Sequence, residues 1–352
     1  METKIFSISQ NDTASQHITL AAEVIRAGGL VAFPTETVYG LGADATDKDA
    51  AKRIYAAKGR PSDNPLIIHV ASPEDADKYA HTDALYYDLA RAFMPGPLTV
   101  IMKKRDIIPD TVTGGLDTVA VRCPAHPIAT ELIRRSGVAI AAPSANLSGS
   151  PSPTCGEHVI SDLNGVVDVI IDGGGCEIGL ESTIVKIEED KLVLLRPGAI
   201  TADALRCVCE KVEIAPAVTE MLGKDERPLS PGMKYRHYAP AVPLVLLEGE
   251  RDKVLTFLQN AQNAERCAIL CYHEELDALR GERLVDIGAE DDLATQAHRL
   301  FSALRHADKL DCDIIYAHLP KTDGMGLALY NRLIRAAAHT VIHVTGSNVI
   351  HH

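Results

Sequence analysis

A chain of 352 residues, 46% hydrophobic and 24% charged, is long enough to bury two cores without disulfides or metals, because the buried share of surface rises with chain size. Lys and Arg number 35 against 48 Asp and Glu, a net charge of −13, which excludes a polycation built to hold duplex nucleic acid through many phosphates. No apolar run, Val242–Leu247 included, approaches the roughly 18–20 residues of a membrane span.

In chain order, His17–Arg26 predicts a helix with Ile18, Ala21, Ala22 and Ile25 on one face, stopped by Gly28-Gly29. Leu30–Pro34 reads as a strand, Ala50–Ala57 as a helix, Leu66–Val70 as a strand, Tyr86–Phe93 as a helix and Leu98–Lys103 as a strand. Further strands are expected at Val119–Arg122, Val138–Ala142, Val167–Ile171, Ser182–Ile187 and Lys191–Leu195. This alternation marks an α/β domain. From about Ala215 to Pro243, Pro216, Pro228, Pro231, Pro240 and Pro243 punctuate a polar stretch of little periodicity, which reads as a linker. Beyond it, Leu244–Leu247, Ala268–Cys271 and Asp313–His318 read as strands and Asp252–Gln262, Leu293–Ala307 and Leu327–Ala338 as helices of a second, smaller α/β domain. The expected division is residues 1–210, a linker over 211–243, and a C-terminal domain over 244–345.

Met1–Phe6 shows no basic segment leading into an apolar run, so the cytosol is the expected compartment. The eight cysteines contain no Cys-x-x-Cys pair and are expected as reduced thiols. Up to Leu205 the chain holds 27 acidic and 18 basic residues, and 21 and 17 after it. Neither half is basic overall, yet a local cluster of cations can still hold a small anion.

The densest polar segment is Phe33-Pro34-Thr35-Glu36-Thr37-Val38-Tyr39-Gly40-Leu41-Gly42. It reads either as a plain strand-to-helix turn or as a ligand loop at a strand end, where open α/β sheets place their ligands. Lys58-Gly59-Arg60, followed by Pro61 and Asn64-Pro65, is either a solvated turn or a point charge and a planar fork suited to polyphosphate. His69 reads as a buried structural histidine or a ligand contact. Arg122 ends an apolar strand and needs a carboxylate, from the protein or from a ligand. Ser144-Ala145-Asn146, with Ser152 beyond, supplies hydroxyl and amide groups, Ser144 reading alternatively as a helix N-cap. Gly173-Gly174-Gly175, Gly179–Thr183 and Leu195-Arg196-Pro197-Gly198 add two more strand-end loops. There is no Gly-x-Gly-x-x-Gly after the first strand, no P-loop, no Gly-x-Ser-x-Gly and no His-Glu-x-x-His. What remains is positioning and charge neutralisation around phosphates.

Taken in order, Phe33–Gly42, Lys58-Gly59-Arg60, Ser144-Ala145-Asn146, Gly179–Thr183 and Ser230-Pro231-Gly232-Met233-Lys234-Tyr235-Arg236-His237-Tyr238-Ala239-Pro240 closely resemble the Sua5/YrdC/YwlC family, and its Sua5-type threonylcarbamoyl-AMP synthases in particular. The resemblance runs the whole length, through Gly326-Leu327-Ala328 and Asn331-Arg332-Leu333. It implies an α/β fold, with a YrdC-like twisted open sheet followed by a smaller Rossmann-like Sua5 domain. It implies a reaction in which L-threonine, bicarbonate and ATP with Mg²⁺ give threonylcarbamoyl-adenylate and pyrophosphate. The product would serve tRNA t6A37 modification through a separate downstream tRNA threonylcarbamoyl transferase complex. Neither nucleophile belongs to the protein, and no protein metal site is expected.

Position by position, the resemblance implies that Thr35, His69, Arg122 and Ser182 hold threonine. Lys58, Arg60, Ser144 and Asn146 would form the catalytic set on the ATP side, joined there by Asn64, Thr118, Ser152 and Arg196. Tyr235 and His237 of the linker would contact ATP, the linker covering the active site. Two rivals stand beside this reading. An RNA-binding module of YrdC type is opposed by the acidic balance and by 4% aromatic residues with no Trp. A carbamoyltransferase of hydrogenase maturation would add zinc-finger parts for which the cysteine spacing is wrong.

Overall fold

The computed structural model describes residues 2–220, 238–345 and the backbone of 349–351. The chain divides into two units, Met1–Ser148 with Ser152–Lys234, and Gly149–Pro151 with Tyr235–His352.

The first unit runs β1 (Lys4–Ser7), α1 (Gln16–Arg26), β2 (Val31–Phe33), β3 (Gly40–Asp44), α2 (Lys48–Lys58), β4 (Ile67–His69), α3 (Ala84–Phe93), β5 (Leu98–Lys103), α4 (Asp110–Thr113), β6 (Thr118–Arg122), α5 (Pro127–Ser136), β7 (Ile140–Ala141), α6 (Gly156–Leu163), β8 (Val169–Asp172), β9 (Thr183–Glu188), β10 (Lys191–Arg196), α7 (Ala202–Arg206) and β11 (Val212–Ile214). The strands form one mixed sheet of eleven in the order β1-β8-β2-β3-β7-β4-β6-β5-β9-β10-β11.

Local chemistry explains the helix limits. The Ser15 side chain accepts the His17 N–H to start α1, whose Ile18, Ala21, Ala22 and Ile25 are buried as the 3.6-residue period requires. Asp47 caps α2 by accepting the Asp49 N–H at 2.8 Å. Gly59, at φ 62°, ends α2 immediately after Lys58 with a left-handed cap. On one face of the sheet, α1 and α5 cover Val31, Phe33, Ile140, Val169 and Ile171. On the other, α2, α3 and α6 cover the larger core built on Leu41, Ile68, Val100, Val121 and Val185.

Two expectations change. Phe33–Gly42 is not a strand-to-helix turn, because Gly40–Asp44 forms β3, antiparallel to β2. Its glycines are needed for packing: a Cβ on Gly42 would lie 2.6 Å from Ile140 Cγ2 and 2.7 Å from the Phe33 ring. Val212–Ile214, at the start of the stretch that reads as linker, is the edge strand of this sheet, parallel to β10.

The second unit contains β12 (Leu244–Gly249), α8 (Arg251–Ala264), β13 (Cys267–Cys271), β14 (Leu284–Asp286), α9 (Leu293–Ala307), β15 (Ile314–His318), α10 (Gly326–Ala336), β16 (Val341–Val344) and β17 (Val349–His351). Its sheet order is β14-β13-β15-β12-β16-β17, parallel except for β17. Val254, Leu258 and Ala261 of α8 pack on Val245, Leu247, Ile269 and Cys271. Among the described residues no helix is long and apolar enough to cross a membrane, and all eight cysteines are free thiols.

Candidate active site

Cross-strand register builds the site. His69 at the end of β4 is paired with Arg122 at the end of β6, and Arg122 is paired in turn with Thr99 of β5. Directly paired residues share a face of a sheet, so the three side chains form a row. The row continues through Ser182, whose hydroxyl lies 2.7 Å from that of Thr99, to Arg196, which donates from Nη2 to Ser182 Oγ at 3.1 Å and from Nε to its carbonyl at 3.0 Å. Two residues along the same strands, Ile67, Ala120, Ile101 and Ile184 cluster with Leu195. The row is thus the polar margin of an apolar patch, and all five of its members are buried.

Burial and the neighbouring Arg122 charge push the His69 imidazole down to about 3, so it is neutral. His69 Nδ1 is 3.3 Å from the Ile140 carbonyl. A neutral ring beside that acceptor carries its proton on Nδ1 and keeps Nε2 as an acceptor.

Lys58 and Ser144-Ala145-Asn146 form a second cluster. Lys58 Nζ donates to the carbonyls of Ser144 and Asn146 and, at 3.3 Å, to Asn146 Oδ1. Ser144 Oγ donates to the same Oδ1 at 2.5 Å, and the Ser148 N–H returns to the Lys58 carbonyl at 2.9 Å. The loop is held on its other side by β3, through an antiparallel bridge between Gly40 and Ser144. Lys58 and Arg60 are buried, so the solvated-turn reading fails. Ser144 is no N-cap either: the next helix, α6, starts from Cys155.

The loop between β2 and β3 brings a carboxylate to the row. Thr35 Oγ1 is committed to a local turn, donating to the Val38 carbonyl at 2.6 Å and lying 2.9 Å from Thr37 Oγ1. Glu36 Oε1 lies 2.8 Å from Arg122 Nη2, both side chains buried. The pair is close but poorly aligned, and neither Glu36 oxygen nor Arg122 Nη2 makes a hydrogen bond. His126 presents two more buried ring nitrogens without hydrogen-bond partners. Burial lowers its pKa, and the Glu36 charge opposes that shift. Asn64, fully buried, likewise leaves both side-chain amide atoms without a partner. Buried polar atoms are normally satisfied, so Glu36, His126 and Asn64 fit a site made for a polar ligand.

Ser152 donates to Glu181, both buried. Gly198 closes the end of the row: a Cβ there would lie 2.6 Å from the Thr183 nitrogen and 2.8 Å from the Glu181 carbonyl. Among the described residues no group of three or more His, Cys, Asp or Glu side chains could hold a metal ion.

Two family models match this chain: one described as telomere recombination, spanning Sua5, YciO and YrdC, over residues 23–198, and the threonylcarbamoyl-AMP synthase C-terminal domain over residues 200–338. The chain is 46% identical over 340 residues to the threonylcarbamoyl-AMP synthase of Pyrococcus abyssi, covering 93% of this chain and 96% of that one. It is 44% identical to that of Bacillus subtilis, covering 97% and 100%. The chain belongs to the Sua5/YrdC family. A crystal structure of P. abyssi Sua5 complexed with L-threonine superposes with a TM-score of 0.90 at 43% identity, over 97% of this chain and 100% of that one. The E. coli YciO structure matches 56% of this chain, with a TM-score of 0.50 at 27% identity.

Within this Sua5/YrdC chain, the residues expected from the sequence fall into connected groups. His69, Arg122, Ser182 and Arg196 lie along the row, and Lys58, Ser144 and Asn146 form one bonded loop. Thr118 begins β6, half-buried, in the same alternation as Ala120 and Arg122. Thr35 is buried in its turn, and Tyr235 and His237 lie outside the described residues. Sequence reasoning missed Glu36, Thr99, His126 and Glu181 as site residues. Glu36 was visible as a carboxylate inside the densest motif. Thr99 carries no motif and is found only through the register of β5 with β6.

Proposed function

We propose that this chain is a threonylcarbamoyl-AMP synthase, a nucleotidyltransferase that joins L-threonine, bicarbonate and ATP into threonylcarbamoyl-adenylate and pyrophosphate. Membership of the family supports the reaction. The observation that carries the site is the row His69, Arg122, Thr99, Ser182 and Arg196 at one margin of the sheet. A buried guanidinium between a neutral imidazole and paired hydroxyls suits a small hydroxylated carboxylic acid: Arg122 for the carboxylate, His69 Nε2 as acceptor for the hydroxyl, and Ser182 and Thr35 as further contacts.

Lys58, Arg60, Asn64, Thr118, Ser144, Asn146, Ser152 and Arg196 are assigned to ATP, with Tyr235 and His237 added from the linker. In this reading a carbamate oxygen attacks the α-phosphorus and pyrophosphate leaves. The protein supplies orientation and charge, which accounts for a site built of cations, hydroxyls and amides rather than a nucleophile with its base. Mg²⁺ would accompany ATP. Among the described residues no cluster of three or more His, Cys, Asp or Glu side chains would hold it.

We further assign residues 1–210, with the edge strand Val212–Ile214, to catalysis, the rest of 211–243 to a linker over the site and 244–345 to a C-terminal domain, with the product passed to a downstream tRNA threonylcarbamoyl transferase in the cytoplasm. Incubation with ATP, Mg²⁺, bicarbonate and single amino acids tests the reaction. Pyrophosphate should appear with L-threonine and be abolished by Arg122→Ala in a folded protein; no release with L-threonine refutes the assignment.

A further inference from the structure

We propose that Glu36 is the counter-ion of the substrate ammonium and takes its proton as the carbamate forms. The proposal rests on the threonine reading above.

Glu36 and Arg122 are side by side at 2.8 Å, only 7% and 5% exposed, yet poorly aligned. A buried ion pair recovers its desolvation cost only when its remaining donors and acceptors are satisfied. Here, beyond the ion contact between Oε1 and Nη2, neither Glu36 oxygen nor Arg122 Nη2 makes a hydrogen bond. An α-amino acid carries the two complementary charges one carbon apart. Its carboxylate can occupy the guanidinium fork while its ammonium occupies the Glu36 oxygens, and each of these groups gains a hydrogen-bond partner. Without Glu36 an ammonium would be buried beside Arg122, with Arg196 further along the row, a like-charge arrangement. Glu36 is also fixed in place, because its carbonyl accepts the Ile178 N–H at 2.8 Å.

Carbamate formation requires an uncharged amine. Of the groups around the row, His69 is a weak base, with Arg122 working against its protonation. His126 is shifted in the same direction by burial, and Glu181 is engaged by Ser152. Among the described residues, Glu36 is the carboxylate paired with Arg122. The step balances: R–NH₃⁺ and Glu36–COO⁻ become R–NH₂ and Glu36–COOH. The amine nitrogen then bonds to the bicarbonate carbon, the C–OH bond breaks, and hydroxide leaves as water with the second amine proton, giving R–NH–COO⁻.

The test compares full-length wild type and Glu36→Gln by calorimetry with L-threonine and with 3-hydroxybutyrate, which keeps the carboxylate and hydroxyl but lacks the amine. Expected are about tenfold or more weaker binding of L-threonine, unchanged or tighter binding of 3-hydroxybutyrate, and pyrophosphate release slowed by about 10²-fold or more, the scale of a lost proton acceptor. Glu36→Asp should restore part of the turnover. Equal weakening of both ligands would reduce Glu36 to a prop for Arg122, and unchanged turnover would remove its proton role; either overturns the proposal. If Glu36→Gln does not fold by circular dichroism, Glu36→Asp carries the comparison: preference for L-threonine over 3-hydroxybutyrate should fall, and an unchanged preference overturns the proposal. Wild-type protein that binds no L-threonine overturns the substrate reading itself, a result distinct from any Glu36 defect.

Discussion

His69 and Arg122 are in-register neighbours across the parallel pair β4 and β6, and the guanidinium reinforces what burial begins: the imidazole is held neutral down to about pH 3. An arginine in that position also fixes what the histidine can do. It offers a substrate an acceptor on Nε2, not a positive charge.

This has a consequence for stability. In the unfolded chain a histidine titrates near 6.5, so between about pH 6.5 and 3 the unfolded state binds a proton that the folded state refuses. Stability therefore falls as pH falls through that window, by up to about 1.4 kcal/mol per pH unit from this group. His69→Gln removes that slope. Urea midpoints at pH 7 and pH 5 should show the gap between wild type and variant narrowing at the lower pH; parallel curves would contradict the burial argument.

Lys58 acts first on its own protein. Carbonyls of Ser144 and Asn146 and the Asn146 side-chain oxygen converge on its ammonium. Lys58→Arg keeps the charge but replaces a compact ammonium with a planar fork that cannot reproduce that convergence. Pyrophosphate release should fall by about 10²-fold, with a stability loss of about 1–3 kcal/mol from the orphaned carbonyls. Wild-type turnover in Lys58→Arg would leave Lys58 as a simple point charge.

The difference between Lys58 and Thr99 explains how much the sequence could reveal. Lys58-Gly59-Arg60, Ser144-Ala145-Asn146 and Arg122 stand out because cations and amides at strand ends are chemically unusual, and Leu98–Lys103 and Leu293–Ala307 are legible because their apolar periods are unbroken. Thr99 is an ordinary threonine in an apolar strand, and its place beside Arg122 is set by pairing between segments far apart in sequence. The same holds for β3, where Gly40 and Gly42 read as a loop until Phe33 and Ile140 are seen to fill the space their side chains would take. Short strands such as β1 and β14 carry too few residues for a period, and the Glu36–Arg122 pair exists only once β2 and β6 share a sheet.

Thr99→Val tests the middle of the row. The substitution keeps the branched shape and removes the hydroxyl that meets Ser182 Oγ at 2.7 Å, while the contact from Arg196 Nη2 to that serine hydroxyl stays. A cost of about 1 kcal/mol in stability is expected for one buried hydrogen bond. The KM for L-threonine should rise several-fold with little change in kcat if Ser182 orients the substrate. A change in kcat alone would place Ser182 on the reacting phosphate instead.

Gly198 sets how closely the chain after β10 can approach the start of β9. A methyl group there would sit 2.6 Å from the Thr183 nitrogen and 2.8 Å from both the Glu181 carbonyl and Thr183 Oγ1. These are backbone atoms and a hydroxyl already donating to Ile200 at 2.8 Å, so the backbone must move apart. Two residues earlier, Arg196 reaches Ser182 through bonds of 3.0 and 3.1 Å, which do not survive a shift of that size. Gly198→Ala should lose about 1–3 kcal/mol, as overpacking of a tight site does, and should lower pyrophosphate release by more than the fraction unfolded accounts for. If activity follows the folded fraction alone, the Arg196–Ser182 contact is structural and the phosphate role belongs to the Lys58 loop.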